Sequence, residues 1–288
     1  MDYALVLTVE IAYAVAVLVL ISAGLAVIFG MMRVINLAHG EFLTLGGYAA
    51  ITAHGLGLNI YLCMIIVAPA VVALFGFIVE RLIVRFLYGR LINTMLATWG
   101  LSLAMMGGFT MIFGNTTTGI ATPIPGITVG QYQIPGYNLF VIGSAIAIAL
   151  GLYLVLRSTR VGLIARGAMQ NTEMTSAFGF DPKRVYTLTF TAGAALSGLA
   201  GGIMAPLVGL NPASGANYIA KSFITVITGG ASVVSGALAS AGLLGVVSQT
   251  FTLLATPAVG EIALLVVAIV LLRLLPTGIT GRFLRDKV

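Results

Sequence analysis

The stretch of sequence that decides the fold is Asn138-Leu-Phe-Val-Ile-Gly-Ser-Ala-Ile-Ala-Ile-Ala-Leu-Gly-Leu-Tyr-Leu-Val-Leu156. It contains no charged residue, and Arg157 follows it directly. A helix needs roughly 20 apolar residues to cross about 30 Å of hydrocarbon, so this run predicts a membrane span. Residues 91–156 as a whole carry no charge, and they hold a second apolar run at about 94–113. We predict two spans here, joined by an external loop rich in Gly, Pro and Thr.

The composition of the whole chain leads to the same fold class. Of its 288 residues, 59% are hydrophobic and 8% are charged, and the mean hydropathy is +1.11. Soluble domains carry about 25% charged residues, which face water. The apolar runs also lack the period-two alternation of a membrane β-barrel. We therefore predict an all-α fold, a polytopic transmembrane helical bundle of about seven to nine membrane segments, forming a single transmembrane domain over residues 1–288.

Lysine and arginine mark the predicted cytoplasmic side, because cytoplasmic loops of membrane proteins are enriched in them. This explains the net charge of +6 without any nucleic-acid partner. Arg33 and Lys221 stand apart from the other basic residues. The other basic residues form three clusters, which are Arg81, Arg85 and Arg90; Arg157, Arg160, Arg166, Lys183 and Arg184; and Arg273, Arg282, Arg285 and Lys287.

Two clusters on the same side of the membrane must be separated by an even number of spans, and this rule places the remaining spans. The Gly- and Ser-rich stretch from Lys221 to Ala255 must cross the membrane an even number of times, so it is predicted to form two short spans or a re-entrant helical hairpin. An external turn is predicted at residues 54–59. The other predicted spans are about 10–32, 40–54, 61–80, 186–209 and 258–275.

No motif indicates enzymatic chemistry, a metal site or a cofactor. The only histidines, His39 and His54, lie near the N-terminus, and His54 lies in the predicted external turn, away from any serine in a nucleophile motif. The H-E-x-x-H motif of zinc proteases and the G-x-x-x-x-G-K-[ST] motif of ATP-binding loops do not occur. We expect no catalytic residue and no nucleotide site. The single cysteine, Cys63, excludes an internal disulfide.

Titratable residues are nearly absent from the interiors of the predicted spans. Proton- or ion-coupled carriers place such residues at mid-membrane depth. Here Glu10, Glu41, Glu80 and Glu261 all lie near predicted span ends. This pattern is typical of a passive channel for a small neutral solute, or of a transporter with an external energy source.

The second basic loop, residues 157–185, contains a segment that could dock on a partner. Residues 162–178 are predicted to form a cytoplasmic helix that ends at Gly179 and the Asp181-Pro182 turn. Such a helix of small and polar residues could dock into a groove of a partner protein and transmit a movement of that partner to the spans. An ordinary solvated connector fits the same pattern equally well.

Several motifs resemble those of ABC importer permeases. Glu173, Ala177 and Gly179 follow the order Glu-x-x-x-Ala-x-Gly of the loop that contacts the ATPases in such permeases. Arg33-Val-Ile-Asn-Leu-Ala-His-Gly-Glu-Phe-Leu-Thr-Leu-Gly-Gly-Tyr48 resembles the N-terminal signature of high-affinity branched-chain amino-acid permeases. The resemblance covers about residues 20–280. Its further motifs, in order, are residues 158–171, 190–202, 228–236 and 273–279.

The resemblance implies a multi-pass permease of the bacterial inner membrane that translocates branched-chain amino acids. The implied partners are a second homologous permease, two cytoplasmic ATPase subunits and a periplasmic solute-binding protein. Urea or short amides, the solutes of a related branch, remain an alternative, as does a stand-alone channel or carrier for a small neutral solute. The residues implied in ATPase coupling are Gln170, Asn171, Glu173, Ala177 and Gly179.

A polar cluster lies at the junction between the first and the second predicted span. It consists of Asn36, His39 and Glu41, close to Arg33. One interpretation is a role in the translocation path or its gate. The other is a hydrogen-bond network that fixes the helix junction, with Glu41 paired to Arg33.

Two further groups are candidate site residues. On the fourth predicted span, Thr98 and Ser102 are one turn apart and could line a pathway with Trp99, although a lone Trp is more often a packing residue. On the predicted outer surface a solute-binding protein could dock, or the residues could belong to a solvated loop. This last group is Asn211, Ser214 and Asn217.

Overall fold

The computed structural model describes residues 2–230 and 232–285. Within them the chain is helical apart from one short β-hairpin, a π turn, a 3-10 turn and the connecting loops. The α-helices are α1 (Asp2–Met32), α2 (His39–Gly55), α3 (Ile60–Leu62), α4 (Ala68–Leu82), α5 (Leu91–Phe113), α6 (Gly136–Ser158), α7 (Arg160–Gln170), α8 (Thr172–Ala177), α9 (Pro182–Met204), α10 (Ser214–Gly229), α11 (Val233–Leu254), α12 (Pro257–Leu274) and α13 (Gly278–Arg285), and the strands are β1 (Ile127–Val129) and β2 (Tyr132–Ile134).

Seven helical stretches of the described residues are long and apolar enough to cross a membrane, which confirms the predicted all-α polytopic bundle. The helices α2 and α10 are shorter, with 17 and 16 residues. The positive-inside rule predicts that α2 and α10 also cross the membrane. Each of them joins the end of one long span to the start of the next, and the rule places these two points on opposite sides of the membrane. The seven long stretches are Ala4–Met32, Ile60–Leu82, Leu91–Phe113, Gly136–Ser158, Pro182–Met204, Val233–Leu254 and Pro257–Gly281.

The chain divides into two compact units, and the prediction of a single permease domain stays a prediction. One unit contains Ala23–Ala121 and Leu152–Ala220. The other contains the described residues up to Ser22, Thr122–Gly151 and the described residues from Lys221 onward. The boundaries fall within α1, α6 and α10 and in the loop before β1.

In the unit built around Ala23–Ala121, α2 is largely enclosed by protein. Phe42 is fully buried, and its ring meets Phe75 edge-on at 5.6 Å and Phe190 at 6.1 Å between centroids. A helix that other helices cover needs no lipid-facing surface. This explains how α2 can be short and can carry His39 and Glu41.

Glycine allows α2 and α9 to approach backbone to backbone. A Cβ added at Gly201 would lie 1.9 Å from the Leu43 carbonyl oxygen, and one at Gly46 would lie 2.4 Å from the Gly198 carbonyl oxygen. Small residues at such contacts are the usual means of helix association in lipid, where the hydrophobic effect does not drive helices together.

The third span, Ile60–Leu82, is interrupted by a π turn at Cys63–Val67. The turn directly precedes Ala68-Pro69, and proline lacks the N–H of a regular helical bond and clashes with the carbonyl four residues earlier. The wider turn accommodates both defects. It also faces α9, where a Cβ at Gly202 would lie 3.1 Å from the Met64 carbonyl oxygen.

In the other unit, the connection between α10 and α11 packs against the residues that follow α12. Gly230 and Gly278 both have positive φ, 87° and 77°, and a Cβ at Gly278 would lie 2.4 Å from the Gly230 Cα. The Thr280 hydroxyl donates to the Gly229 carbonyl at 2.6 Å. Because α12 carries Arg273 in its last turn, this contact puts the connection at the end of the bundle that the positive-inside rule predicts to be cytoplasmic. Of the two predicted alternatives, the structure therefore favours two crossing helices over a hairpin that turns back midway.

The loop between α5 and α6, which is predicted to be external, contains a hairpin that the sequence did not predict. Strands β1 and β2 pair antiparallel with Thr128 opposite Gln133. Gly130, with φ of 60°, begins the two-residue turn, as glycine does in tight hairpins.

Replacing Gly201 with Ala should destabilise the protein by about 1–3 kcal/mol, because the new methyl group overlaps the Leu43 carbonyl. The thermal unfolding midpoint of the purified protein in detergent measures this. The matched control is Gly143→Ala in α6, where an added Cβ meets nothing within 4 Å. The control should be neutral or more stable by up to about 1 kcal/mol, since Ala favours helix. Equal midpoints for the two variants would contradict the packing described here.

Candidate functional site

The segment between α1 and α2 is held by a side chain of α5. Arg33 directly follows α1 and has φ of 51°, and it is the only described residue other than glycine with a positive φ. The Leu37 N–H donates to the Thr98 hydroxyl oxygen at 3.0 Å, while the same hydroxyl donates to the Thr94 carbonyl of its own helix at 2.8 Å. Thr98 is fully buried, so this contact anchors an irregular segment to a regular helix.

Asn36 organises the start of α2. It is fully buried, and its Oδ1 accepts a hydrogen bond from the Ala38 N–H at 3.0 Å. This satisfies one of the N–H groups that a helix start leaves unpaired. The Asn36 Nδ2 has no hydrogen-bond partner among the described residues.

Glu41 is bound by Ser102 and does not pair with Arg33. Its carboxylate is 2% exposed and accepts a hydrogen bond from the Ser102 hydroxyl at 2.8 Å. Its other oxygen packs against Gly215, where an added Cβ would lie 2.3 Å away. Arg33 is exposed at the end of α1. The predicted Arg33–Glu41 pair is therefore wrong, because the first turn of α2 directs Glu41 toward α5.

His39 lies against a serine that is distant in sequence. Its Nδ1 is 3.2 Å from the Ser197 hydroxyl oxygen, and that hydroxyl donates to the Gly193 carbonyl at 2.9 Å. Both side chains are fully buried, and a Cβ at Gly24 would lie 2.4 Å from the Ser197 oxygen. The hydroxyl is packed on all these sides.

We call the buried polar residues around the start of α2 the junction cluster. Trp99 does not belong to it, since its side chain is 56% exposed. Ser197 was missed by sequence reasoning, although it is the only hydroxyl in the stretch Ala192–Gly202. The members of the junction cluster are Asn36, His39, Glu41, Thr98, Ser102 and Ser197.

The loop over residues 157–185, which is predicted to be cytoplasmic, forms two helices rather than the single predicted helix over residues 162–178. Asn171 lies between α7 and α8 in an extended conformation, with φ of −152° and ψ of 105°. Its Oδ1 accepts a hydrogen bond from the Met174 N–H at 3.0 Å. Asparagine at this position caps the start of a new helix, which explains the break.

The predicted end of this segment at Gly179 is confirmed. Gly179 has φ of 84°. Its N–H donates to the Ser176 carbonyl at 2.9 Å, and the Phe180 N–H donates to the Thr175 carbonyl at 3.2 Å. These two bonds form a Schellman motif, which glycine enables. Asp181 then caps α9 by accepting from the Lys183 N–H at 3.0 Å.

The helix α8 exposes apolar as well as polar side chains. Met174 is 54% and Phe178 75% exposed, and Phe180 beyond it is 44% exposed. These side chains lie among the charged residues of a loop that is predicted to be cytoplasmic, where contact with lipid is not expected. The predicted coupling residues are also exposed, and they are Gln170, Asn171, Glu173, Ala177 and Gly179.

The three residues predicted on the outer surface differ in exposure. Ser214 is 4% exposed, and its hydroxyl accepts a hydrogen bond from the Asn211 N–H at 2.9 Å. Its burial in this turn removes it from the surface. Asn217 is exposed, and Asn211 is partly exposed. A docking role for this group stays a prediction.

The family described as branched-chain amino acid transport system / permease component matches residues 7–275. The chain belongs to this family. With its seven long apolar helices, it is a multi-pass membrane protein and a permease component of a transport system.

Relatives cover nearly the whole chain. The high-affinity branched-chain amino acid transport system permease protein BraD of Pseudomonas aeruginosa is 29% identical over 93% of this chain and 93% of its own. The probable permease LivH of Methanocaldococcus jannaschii is 27% identical over 92% of this chain and 88% of its own. LivH of Escherichia coli K12 is 26% identical over 93% of this chain and 92% of its own. No solved structure matches the chain.

Replacing Ser102 with Ala should destabilise the protein by about 1–3 kcal/mol, because it removes the donor from a buried carboxylate. The unfolding midpoint in detergent measures the effect. The matched control is Thr110→Ala on the same helix, whose exposed hydroxyl bonds only to the Met106 carbonyl and whose loss should change little. Midpoints that fall equally in both variants would contradict a stabilising role of the Ser102–Glu41 bond.

Proposed function

We propose that this chain is the membrane-spanning permease subunit of an ABC importer that translocates branched-chain amino acids across the bacterial inner membrane. The observation that carries the proposal is the family match over residues 7–275, together with relatives of nearly equal length that are named as permeases for these amino acids. The charge-poor spans suit a solute that is zwitterionic and otherwise apolar.

The energy for transport comes from other subunits. The chain has no phosphate-binding loop, and no group of three or more His, Cys, Asp or Glu among the described residues could hold a metal ion. We propose that the chain is not an enzyme and that it works with two cytoplasmic ATPase subunits, a second homologous permease and a periplasmic solute-binding protein.

The ATPase contact is made by α8 and its flanks. Support comes from the exposed apolar side chains Met174 and Phe178 beside the exposed carboxylate of Glu173. An apolar centre with a charged rim is typical of protein interfaces. The caps at Asn171 and Gly179 keep α8 short and rigid, so a displacement of its surface moves the whole helix.

The junction cluster serves as a gate on the translocation path. It joins α2, α5 and α9 through side-chain hydrogen bonds, and each of them can exchange for a bond to water or solute when the helices separate. The unpaired Asn36 Nδ2 offers a donor to a solute carboxylate in the open state. On the outer side, Asn211 and Asn217 contact the solute-binding protein.

The proposal is tested by reconstituting the chain with its co-purified partners in liposomes. Uptake of radiolabelled leucine should require ATP on the side of the liposome membrane that carries the ATPase subunits. It should also require the solute-binding protein. Unlabelled isoleucine and valine should compete with leucine, whereas urea and acetamide should not. Competition by urea or acetamide alone would assign the amide branch, and ATP-independent uptake would indicate a channel.

Replacing Gly179 with Val should uncouple ATP hydrolysis from uptake. The position has φ of 84° and open space for a side chain, so the cost is conformational, about 1–2 kcal/mol for a residue with a Cβ. Uptake per ATP should fall by up to about tenfold, with the spans still inserted. The matched control is Gly179→Asn, because Asn tolerates this conformation, and it should keep most of the coupling. Normal uptake by the Val variant would refute the assignment.

A further inference from the structure

A buried carboxylate ends the third span close to the cytoplasmic loop. Glu80 lies in the last turn of α4 and is fully buried. Its Oε1 accepts a hydrogen bond from the Tyr88 hydroxyl, while its Oε2 has no hydrogen-bond partner among the described residues and lies 4.0 Å from the Arg81 Nε. The pKa of Tyr88 is raised, first by burial and then by the Glu80 carboxylate. Tyr88 therefore remains a neutral donor over the whole physiological range.

The Tyr88 ring continues the contact toward α9. It meets the Tyr186 ring edge-on, with the centroids 5.0 Å apart and an interplanar angle of 70°. Tyr186 lies in the second turn of α9 and is partly buried. Edge-to-face pairs of this kind hold a preferred geometry, so the position of one ring constrains the other.

The Tyr186 hydroxyl in turn reaches α8. It is 3.2 Å from the Thr172 hydroxyl oxygen, and Thr172 is the first residue of α8. The Thr172 hydroxyl also lies 3.2 Å from the Ala168 carbonyl, to which it donates. Its single proton is thereby used, so the Tyr186 hydroxyl is the donor in their contact.

The chain of contacts also extends from Tyr88 toward the junction cluster. Tyr88 belongs to the short connection that leads to α5. The Thr94 hydroxyl of α5 is within hydrogen-bond distance of two carbonyls of this connection, Leu87 at 3.0 Å and Arg90 at 2.9 Å. One turn further along α5 is Thr98, which anchors the segment before α2.

We propose that Thr172, Tyr186, Tyr88 and Glu80 form a tyrosine link that transmits the movement of α8 to the ends of α4 and α5. The inference rests on the proposed function, since it names how the ATPase contact reaches the gate. All four are positioning residues and touch no solute. Tyrosine suits the task because its ring is rigid and has only two side-chain torsions, and its hydroxyl fixes one end to a polar partner.

A static brace would use the same contacts, so the test must separate coupling from stability. The variants are Tyr88→Phe and Tyr186→Phe, which keep the rings and remove only the hydroxyls. The matched control is Tyr153→Phe in α6, whose exposed hydroxyl contacts Arg157. The complete complex is reconstituted, and the number of leucine molecules taken up per ATP hydrolysed is measured together with the unfolding midpoint.

Each of the two variants should lower uptake per ATP by at least about twofold, while the control keeps the wild-type ratio. The double variant should be no worse than the more severe single variant, because both bonds act in series. Wild-type ratios in both single variants, or losses that simply multiply in the double variant, would overturn the link. A lower midpoint with an unchanged ratio would also overturn it, by assigning a static brace.

A second readout does not depend on transport. In the full chain, Tyr88→Phe should speed amide hydrogen exchange in α8, at residues 172–177, by at least about twofold, and Tyr153→Phe should not. Unchanged exchange in α8 would overturn the link even in an active complex. Absence of ATP-dependent uptake in the wild-type complex would instead count against the proposed function, and the exchange measurement would still decide the link.

Discussion

The close approach of α2 to α9 is the constraint on which the rest of the unit around Ala23–Ala121 depends. Inside a bilayer, apolar side chains gain nothing by leaving lipid for protein, so tight packing and hydrogen bonds must hold helices together. At Gly46 and Gly201 the two backbones are too close for any Cβ. This contact encloses α2 in protein, and only an enclosed helix can place a carboxylate and an imidazole in its first turn at little cost.

The polar residues of the junction cluster follow from that enclosure. A buried carboxylate must be hydrogen-bonded, and Ser102 supplies the donor to Glu41. Two features at the junction are less well satisfied, namely the positive φ of Arg33 and the unpaired Asn36 Nδ2. Such features persist where the surroundings hold them, and they concentrate at sites that change conformation. Their presence beside the cluster supports a gate more than a permanent brace.

The sequence was sufficient for the features that depend on local pattern. Charge-free runs predicted the spans, and Gly179 with the Asp181-Pro182 turn predicted the end of the cytoplasmic segment that contains α8. One error, the Arg33–Glu41 pair, and one omission, Ser197, share a cause, which is that the true partners are far apart in the chain. Ser102 is 61 residues from Glu41, and Ser197 is 158 residues from His39, so no periodicity could pair them. The break at Asn171 is different, because its signal is local. Asparagine is a common helix cap, so the sequence alone could have predicted that a new helix starts there.

The scarcity of charge in the spans and the geometry of the cytoplasmic loop favour the same mode of action. A carrier driven by protons or ions needs titratable groups inside its spans, whereas Glu80 and Glu41 lie at span ends and are held by neutral donors. Under the proposed function energy enters as movement of the ATPase subunits, and stiff, continuous contacts pass such movement on. The helix α8 is capped at both ends, and its first residue is bonded to a tyrosine of α9. A flexible solvated connector would have needed neither the caps nor the aromatic contacts beneath it, and this is the strongest structural reason to prefer a coupling helix over the connector that the residue pattern alone allowed.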